Sequence, residues 1–152
     1  MGGPMVLEKD FREFLELLGK HGVRYLLVGG YAVVAHGYPR YTKDLDIWID
    51  PTADNARSLI AALEEFGMAS LGLSEGDFLQ PGTFVQIGYS PVRIDLLTSA
   101  PGLTFAEAFK AKEDRLIDGV QVCLIGLPDL LKNKQAAGRT QDLLDYEKLS
   151  ET

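Results

Sequence analysis

Apolar residues recur near the N-terminus at close to a 3.6-residue period. Leu7, Phe11, Phe14, Leu15, Leu17 and Leu18 are separated by Glu8, Lys9, Arg12, Glu13 and Glu16, which predicts an amphipathic helix over 7–20 bracketed by Gly19 and Gly22. The pattern then changes. Residues 24–28 form a continuous apolar run suited to a buried strand, Gly29-Gly30 interrupts it, and 31–36 reads as a short helix ended by Gly37 and Pro39. Leu45–Ile49 is the next strand. Asp50 as N-cap and Pro51 at the first helical position predict a helix over 51–66, closed by Gly67, with Ala56, Leu59, Ile60, Leu63 and Phe66 facing the core.

Residues 68–82 show no steady period and predict an irregular connection with one helical turn near 77–79. Strands follow at 83–89 and 92–97, and the short link Ser90-Pro91 makes them antiparallel neighbours. A short helix over 105–112 precedes a hairpin, 115–117 with 120–125, turned at Asp118-Gly119. Two helices, 128–137 and 140–149, meet near Gly138 and end the pattern. No repeat or heptad array is present. The order of elements predicts an α/β (α+β) fold, a mixed and partly antiparallel sheet with helices packed on one face.

Composition sets the scale. At 152 residues with 46% hydrophobic content, one domain over 5–152 is expected to bury about 68–70% of the unfolded surface, with 1–4 as a leader outside it. The single cysteine, Cys123, lies in an apolar run and reads as a core residue. No apolar stretch approaches the ~20 residues a bilayer span needs, so no membrane partner and a cytoplasmic location are expected. Fifteen Lys and Arg against 22 Asp and Glu give a net charge of −7, which argues against general DNA binding.

The order of the acids carries the chemistry. Alternation along a strand puts Asp44 and Asp46 on one face while Leu45 and Ile47 face the core. Asp95 likewise interrupts the apolar strand at 92–97, on the face of Arg93. If the two strands are neighbours, three carboxylates converge on one patch, and a shared hard cation, Mg²⁺ or Mn²⁺, keeps them ionised. Upstream, Gly29-Gly30 joins a strand to a helix and leaves the amides of Gly30 and Tyr31 free of side-chain cover, an arrangement suited to an anion.

Gly29-Gly30, thirteen intervening residues, Asp44-Leu45-Asp46-Ile47 and the later Arg93-Ile94-Asp95-Leu96-Leu97 resemble the signature of the polymerase-β-like nucleotidyltransferase superfamily. The segment 127–134, with Arg139, Asp142 and Asp145 after it, is similar to the tail of minimal, single-domain members found in toxin–antitoxin and abortive-infection systems. Where many members carry Gly-Ser, this chain has Gly29-Gly30 and lacks that serine hydroxyl.

The resemblance implies a nucleotidyltransferase fold and a transfer of nucleoside monophosphate from a nucleoside triphosphate such as ATP to a hydroxyl of a protein, RNA or small molecule. It implies two Mg²⁺ (or Mn²⁺) ions on Asp44, Asp46 and Asp95, with Asp95 as the base. Gly29, Gly30, Tyr31, Arg40, Thr42, Lys134 and Arg139 are then the expected nucleotide-binding residues, Asp142 orients a basic neighbour, and Lys43 points away from the site. Specificity is expected to come from a helical partner protein or a second copy of the chain. The alternative is a non-catalytic binding or antitoxin module on the same fold. His36 reads as a hydrogen-bonded structural residue, His21 as a partner of the first helix's C-terminus, and Trp48 as either a base-stacking or a packing residue.

Overall fold

A computed structural model describes residues 5–89 and 91–151. The expected leader at 1–4 and Ser90 of the expected link lie outside the described residues. In chain order the elements are α1 (Lys9–Lys20), β1 (Tyr25–Val28), α2 (Gly29–Ala35), β2 (Leu45–Ile49) and α3 (Ala53–Glu65). Two 3₁₀ turns (Ala69–Leu71 and Glu75–Phe78) lead to β3 (Phe84–Tyr89), β4 (Val92–Leu97) and α4 (Phe105–Lys110). The chain closes with β5 (Glu113–Ile117), β6 (Val120–Leu124), α5 (Leu127–Ala137) and α6 (Thr140–Ser150).

The strands form one sheet in the order β3-β4-β2-β1-β6-β5. It is mixed: β2 runs parallel to β4 and β1 parallel to β6, while β1 with β2, β3 with β4 and β5 with β6 are antiparallel. All four residues of β1 are buried, as a central strand covered on both faces requires. One face carries Leu27, Ile47 and Leu96 in register, and α1 supplies Phe11, Phe14, Leu15 and Leu18 to the same core. Phe14 meets Phe66 at 5.1 Å between ring centroids, which ties α1 to the end of α3. On the opposite face Trp48, 1% exposed, meets Phe105 of α4 edge-on at 5.2 Å. Burial makes Trp48 a packing residue and removes it from base stacking.

Several local expectations change for identifiable reasons. Asp50 does not cap α3: its carboxylate accepts from Arg24 Nε at 2.8 Å, and Thr52 caps instead, accepting from the Asn55 amide at 3.4 Å. Pro51 therefore lies before the helix. Asn55 is buried but satisfied, because its amide bonds Arg24 and Asp50 backbone atoms at 2.7–2.9 Å. Helix α2 begins at Gly29, two residues earlier than its apolar pattern suggests. The hairpin at Asp118-Gly119 forms as expected, with φ of +49° and +82° at the two turn residues. Cys123 is half-buried near the sheet edge, packed against the core and outside its centre. His36 Nε2 lies 2.7 Å from the Ile125 carbonyl oxygen, a structural contact, and His21 sits at the C-terminus of α1, 2.9 Å from Glu65.

Candidate active site

The site begins where β1 turns into α2. Gly29 has φ +68°, and a Cβ there would come within 2.7 Å of Asp46 Cγ and 2.9 Å of its Cβ. Only glycine lets the backbone lie this close to the Asp46 side chain. A Cβ on Gly30 would meet Thr42 Cβ at 2.8 Å and Arg40 Nη2 at 3.4 Å. The first glycine makes room for an acid, and the second for the loop that carries Arg40 and Thr42.

The sheet register then aligns Val28, Asp46, Asp95 and Gln86 in one row across β1, β2, β4 and β3. Asp46 and Asp95 are hydrogen-bonded to each other, and Gln86 Nε2 donates to Asp95 Oδ1 at 2.8 Å. Burial, followed by the bond to Asp95 and the charges of Asp95 and Asp44, drives Asp46 well above the usual carboxylate range, with Lys134 opposing the shift. Asp46 therefore holds its proton more tightly than an ordinary carboxylic acid does.

Asp44 stands apart from the pair. It lies in a bend before β2 begins, so strand alternation does not fix its direction. Its Oδ1 is 3.4 Å from Arg93 Nε, both atoms are buried, and neither makes a hydrogen bond among the described residues. Among the described residues no three acids, imidazoles or thiols stand close enough to hold one metal ion. The expected convergence of three carboxylates is therefore a hydrogen-bonded pair plus a third acid drawn toward Arg93.

All three acids line one cavity of about 940 Å³, together with Gly29, Gly30, Arg40, Thr42, Lys134 and Arg139. Tyr31 is not part of its wall; that ring packs edge-on against Phe11 at 5.6 Å. Lys43, expected to point away, does line it, because 38–43 is irregular chain in which alternation has no force. Gln86 is a site residue that the motif leaves out. In a hairpin linked at Ser90-Pro91, opposed residue numbers have a constant sum, so alternation on β3 was the signal for placing Gln86 opposite Asp95.

One wall of the cavity is an ion-pair lock. Lys134 Nζ, on a side chain 6% exposed, lies 3.1 Å from both Asp142 and Asp145. Arg40 grips Asp145 with two bonds of 2.8 and 2.9 Å, Arg139 Nε is 2.7 Å from Asp142, and Gln141 donates to Asp145 at 2.8 Å. Burial pushes both acids up. For Asp142 the bonds from Arg139 and Lys134 outweigh it, and for Asp145 those from Arg40, Gln141 and Lys134 do, so both stay below the usual carboxylate range.

No family model and no curated protein matches the sequence. Solved structures do match it. A candidate nucleotidyltransferase from Thermotoga maritima aligns with a TM-score of 0.62 and 14% identity over 93% of this chain and 91% of that one. The lincosamide antibiotic adenylyltransferase LnuA, in a lincomycin-bound structure, aligns at 0.58 and 18% over 95% and 97%. The antibiotic-resistance factor ANT(2'')-Ia aligns at 0.60 and 14% over 93% and 81%. At such identities the likeness is one of architecture, and the fold of this chain is that of the nucleotidyltransferases.

Proposed function

We propose that this chain is a metal-dependent nucleotidyltransferase that moves a nucleoside monophosphate from a nucleoside triphosphate to an acceptor hydroxyl. The observation that carries this reading is the Asp46–Asp95 pair on the cavity floor. Two adjacent carboxyls with one set of neighbours are unfavourable for a structural site and suited to a cation.

The residues fit Mg²⁺ or Mn²⁺. Their donors are all oxygen, and Asp44 keeps a buried oxygen without a hydrogen bond in the same cavity. Asp46 and Asp95 would hold the metal, with Asp44 joining on leaving Arg93. Bound there, two such ions would supply charge stabilisation for the entering and leaving oxygens of an in-line displacement at the α-phosphorus. Gln86 orients Asp95, leaving one carboxylate oxygen to take the proton of the acceptor hydroxyl. Gly29, Gly30, Thr42 and Arg139 line the part of the wall that would receive the nucleotide.

Among the acceptor classes, a small molecule suits the cavity best. Its volume falls within the roughly 300–1,000 Å³ of small-molecule pockets, and Phe84, Leu97, Ala100 and Pro101 add apolar wall. LnuA is itself seen with a small molecule, lincomycin. Among the described residues no helix is long and apolar enough to cross a membrane, and we place the reaction in the cytoplasm, with a toxin–antitoxin role as one setting. The contact between Asp44 and Arg93 favours the second reading, a non-catalytic module, because it draws one expected ligand away.

The deciding experiment incubates the protein with each α-³²P-labelled triphosphate, Mg²⁺ and hydroxyl acceptors, including a lincosamide, an aminoglycoside, RNA and cell lysate. Transfer by wild type and none by Asp46→Asn is the expected result. Equal labelling by both proteins, or by neither, favours the non-catalytic module.

A further inference from the structure

Four cationic side chains line the cavity: Arg40, Lys43, Lys134 and Arg139. Three of them belong to the lock on Asp142 and Asp145. Arg40 and Lys134 are committed within it, since both Arg40 bonds go to Asp145 and Lys134 is buried between two carboxylates. Lys43 differs. It is an exposed residue of the cavity lining and makes no ion pair or hydrogen bond with any described residue.

Its position is nevertheless fixed. Arg40 ties its own loop to α6 through Asp145 and also donates from Nη1 to the Tyr41 carbonyl oxygen at 3.0 Å. Thr42, one residue further, fills the space above Gly30. The chain carrying Lys43 is thereby held against the start of α2, immediately before Asp44, while the ammonium group keeps all its donors. A lysine on a four-carbon stem is a mobile point charge with three N–H donors, well matched to the terminal oxygens of a polyphosphate.

We propose that Lys43 binds the terminal phosphates of the nucleoside triphosphate, while Arg40 and Lys134 serve as positioning residues that hold the wall presenting it. This inference rests on the nucleotidyltransferase reading and assigns the anion-binding role within it. The local charge gives the reason: three carboxylates share the cavity with a lock whose cations are largely matched, so a polyphosphate needs an uncommitted positive charge.

The test measures binding of ATP, inorganic tripolyphosphate and AMP, each with Mg²⁺, by calorimetry on wild type, Lys43→Met and Lys43→Arg. Lys43→Met is expected to weaken ATP and tripolyphosphate at least about tenfold, leave AMP within about twofold, and melt at the wild-type temperature. Lys43→Arg is expected to retain most of the affinity. Lys43→Gln repeats the comparison should Lys43→Met shift the melting temperature. Undiminished ATP binding by Lys43→Met, or an equal loss for AMP, overturns the inference and leaves the nucleotidyltransferase reading standing. If wild type binds neither ATP nor tripolyphosphate, the nucleotide reading falls and takes this inference with it.

Discussion

Two pairs of aspartates, one lining the cavity and the other with Asp142 in its wall and Asp145 buried beside it, are treated in opposite ways. Asp142 and Asp145 are surrounded by Lys134, Arg139, Arg40 and Gln141, and both are held below the usual carboxylate range. Asp46 has Asp95 as its neighbour, Asp44 nearby and only a distant opposing charge from Lys134, and it is driven up. Burial raises all three groups, so it does not distinguish them. The partners do. Where cations and donors satisfy the acids they fasten α5, α6 and the loop before β2 together; where the partner is another acid, the fold carries an unfavourable group that a bound cation would relieve.

Lys134 joins both acids of the satisfied pair, so its loss has the largest expected effect on the fold. Lys134→Met removes the cation shared by both acids and leaves Asp142 to Arg139 and Asp145 to Arg40, so it is expected to cost about 1–3 kcal/mol of stability, read from urea unfolding. An unchanged midpoint would mean that the lock does not hold the fold. Asp46→Asn should do the reverse. It removes one member of the acid pair, so the metal-free protein should melt at or above the wild-type temperature while transfer falls more than ~100-fold, the loss expected for a metal ligand rather than its supporting shell.

The two pairs also predict opposite pH limbs. Asp46 binds its proton more tightly in the fold than in the unfolded chain, so metal-free stability is full below the ordinary carboxylate pKa and declines as pH rises toward the raised value. Asp142 and Asp145 have lowered values, so their contribution is present above the ordinary carboxylate pKa and is lost as pH falls through the depressed ones. Thermal melts across pH should show both limbs, with Asp46→Asn removing the upper one. Saturating Mg²⁺ should flatten that limb too.

Gln86→Leu is the smallest change. Loss of one hydrogen bond to Asp95 should lower kcat about tenfold with little change in nucleotide KM, and Gln86→Glu should be worse because it adds a third acid to the row. A uniform rise in KM with kcat preserved would show that Gln86 contacts substrate instead of orienting Asp95.

Much of this architecture is legible along the chain. Strand alternation and the parallel alignment of two apolar runs bring Asp46 to Asp95, and the antiparallel register of β3 on β4 adds Gln86. The Gly29-Gly30 step is legible as a close approach, although only the fold shows what approaches: Asp46 at one glycine, Thr42 and Arg40 at the other. That packing also gives a physical reason for Gly30, since any side chain there would displace Thr42. Alternation failed outside the strands. Applied to Lys43 it pointed a wall residue away, because 38–43 is irregular chain; Asp44 does share the cavity with Asp46 and Asp95, and what alternation left out is its contact with Arg93.

Periodicity and turn chemistry act between residues a few positions apart, so the elements, the hairpins and the two acids that share a strand-to-strand row are readable along the chain. Ion pairing over long separations follows different rules. Arg40 meets Asp145 across 105 positions, and no local pattern says that this arginine, along with Lys134, is already spent on carboxylates while Lys43 is free. Only the packing of α6 against the loop before β2 decided which cations are locked and which face the cavity, because a charge takes whatever partner the folded chain brings within about 3 Å.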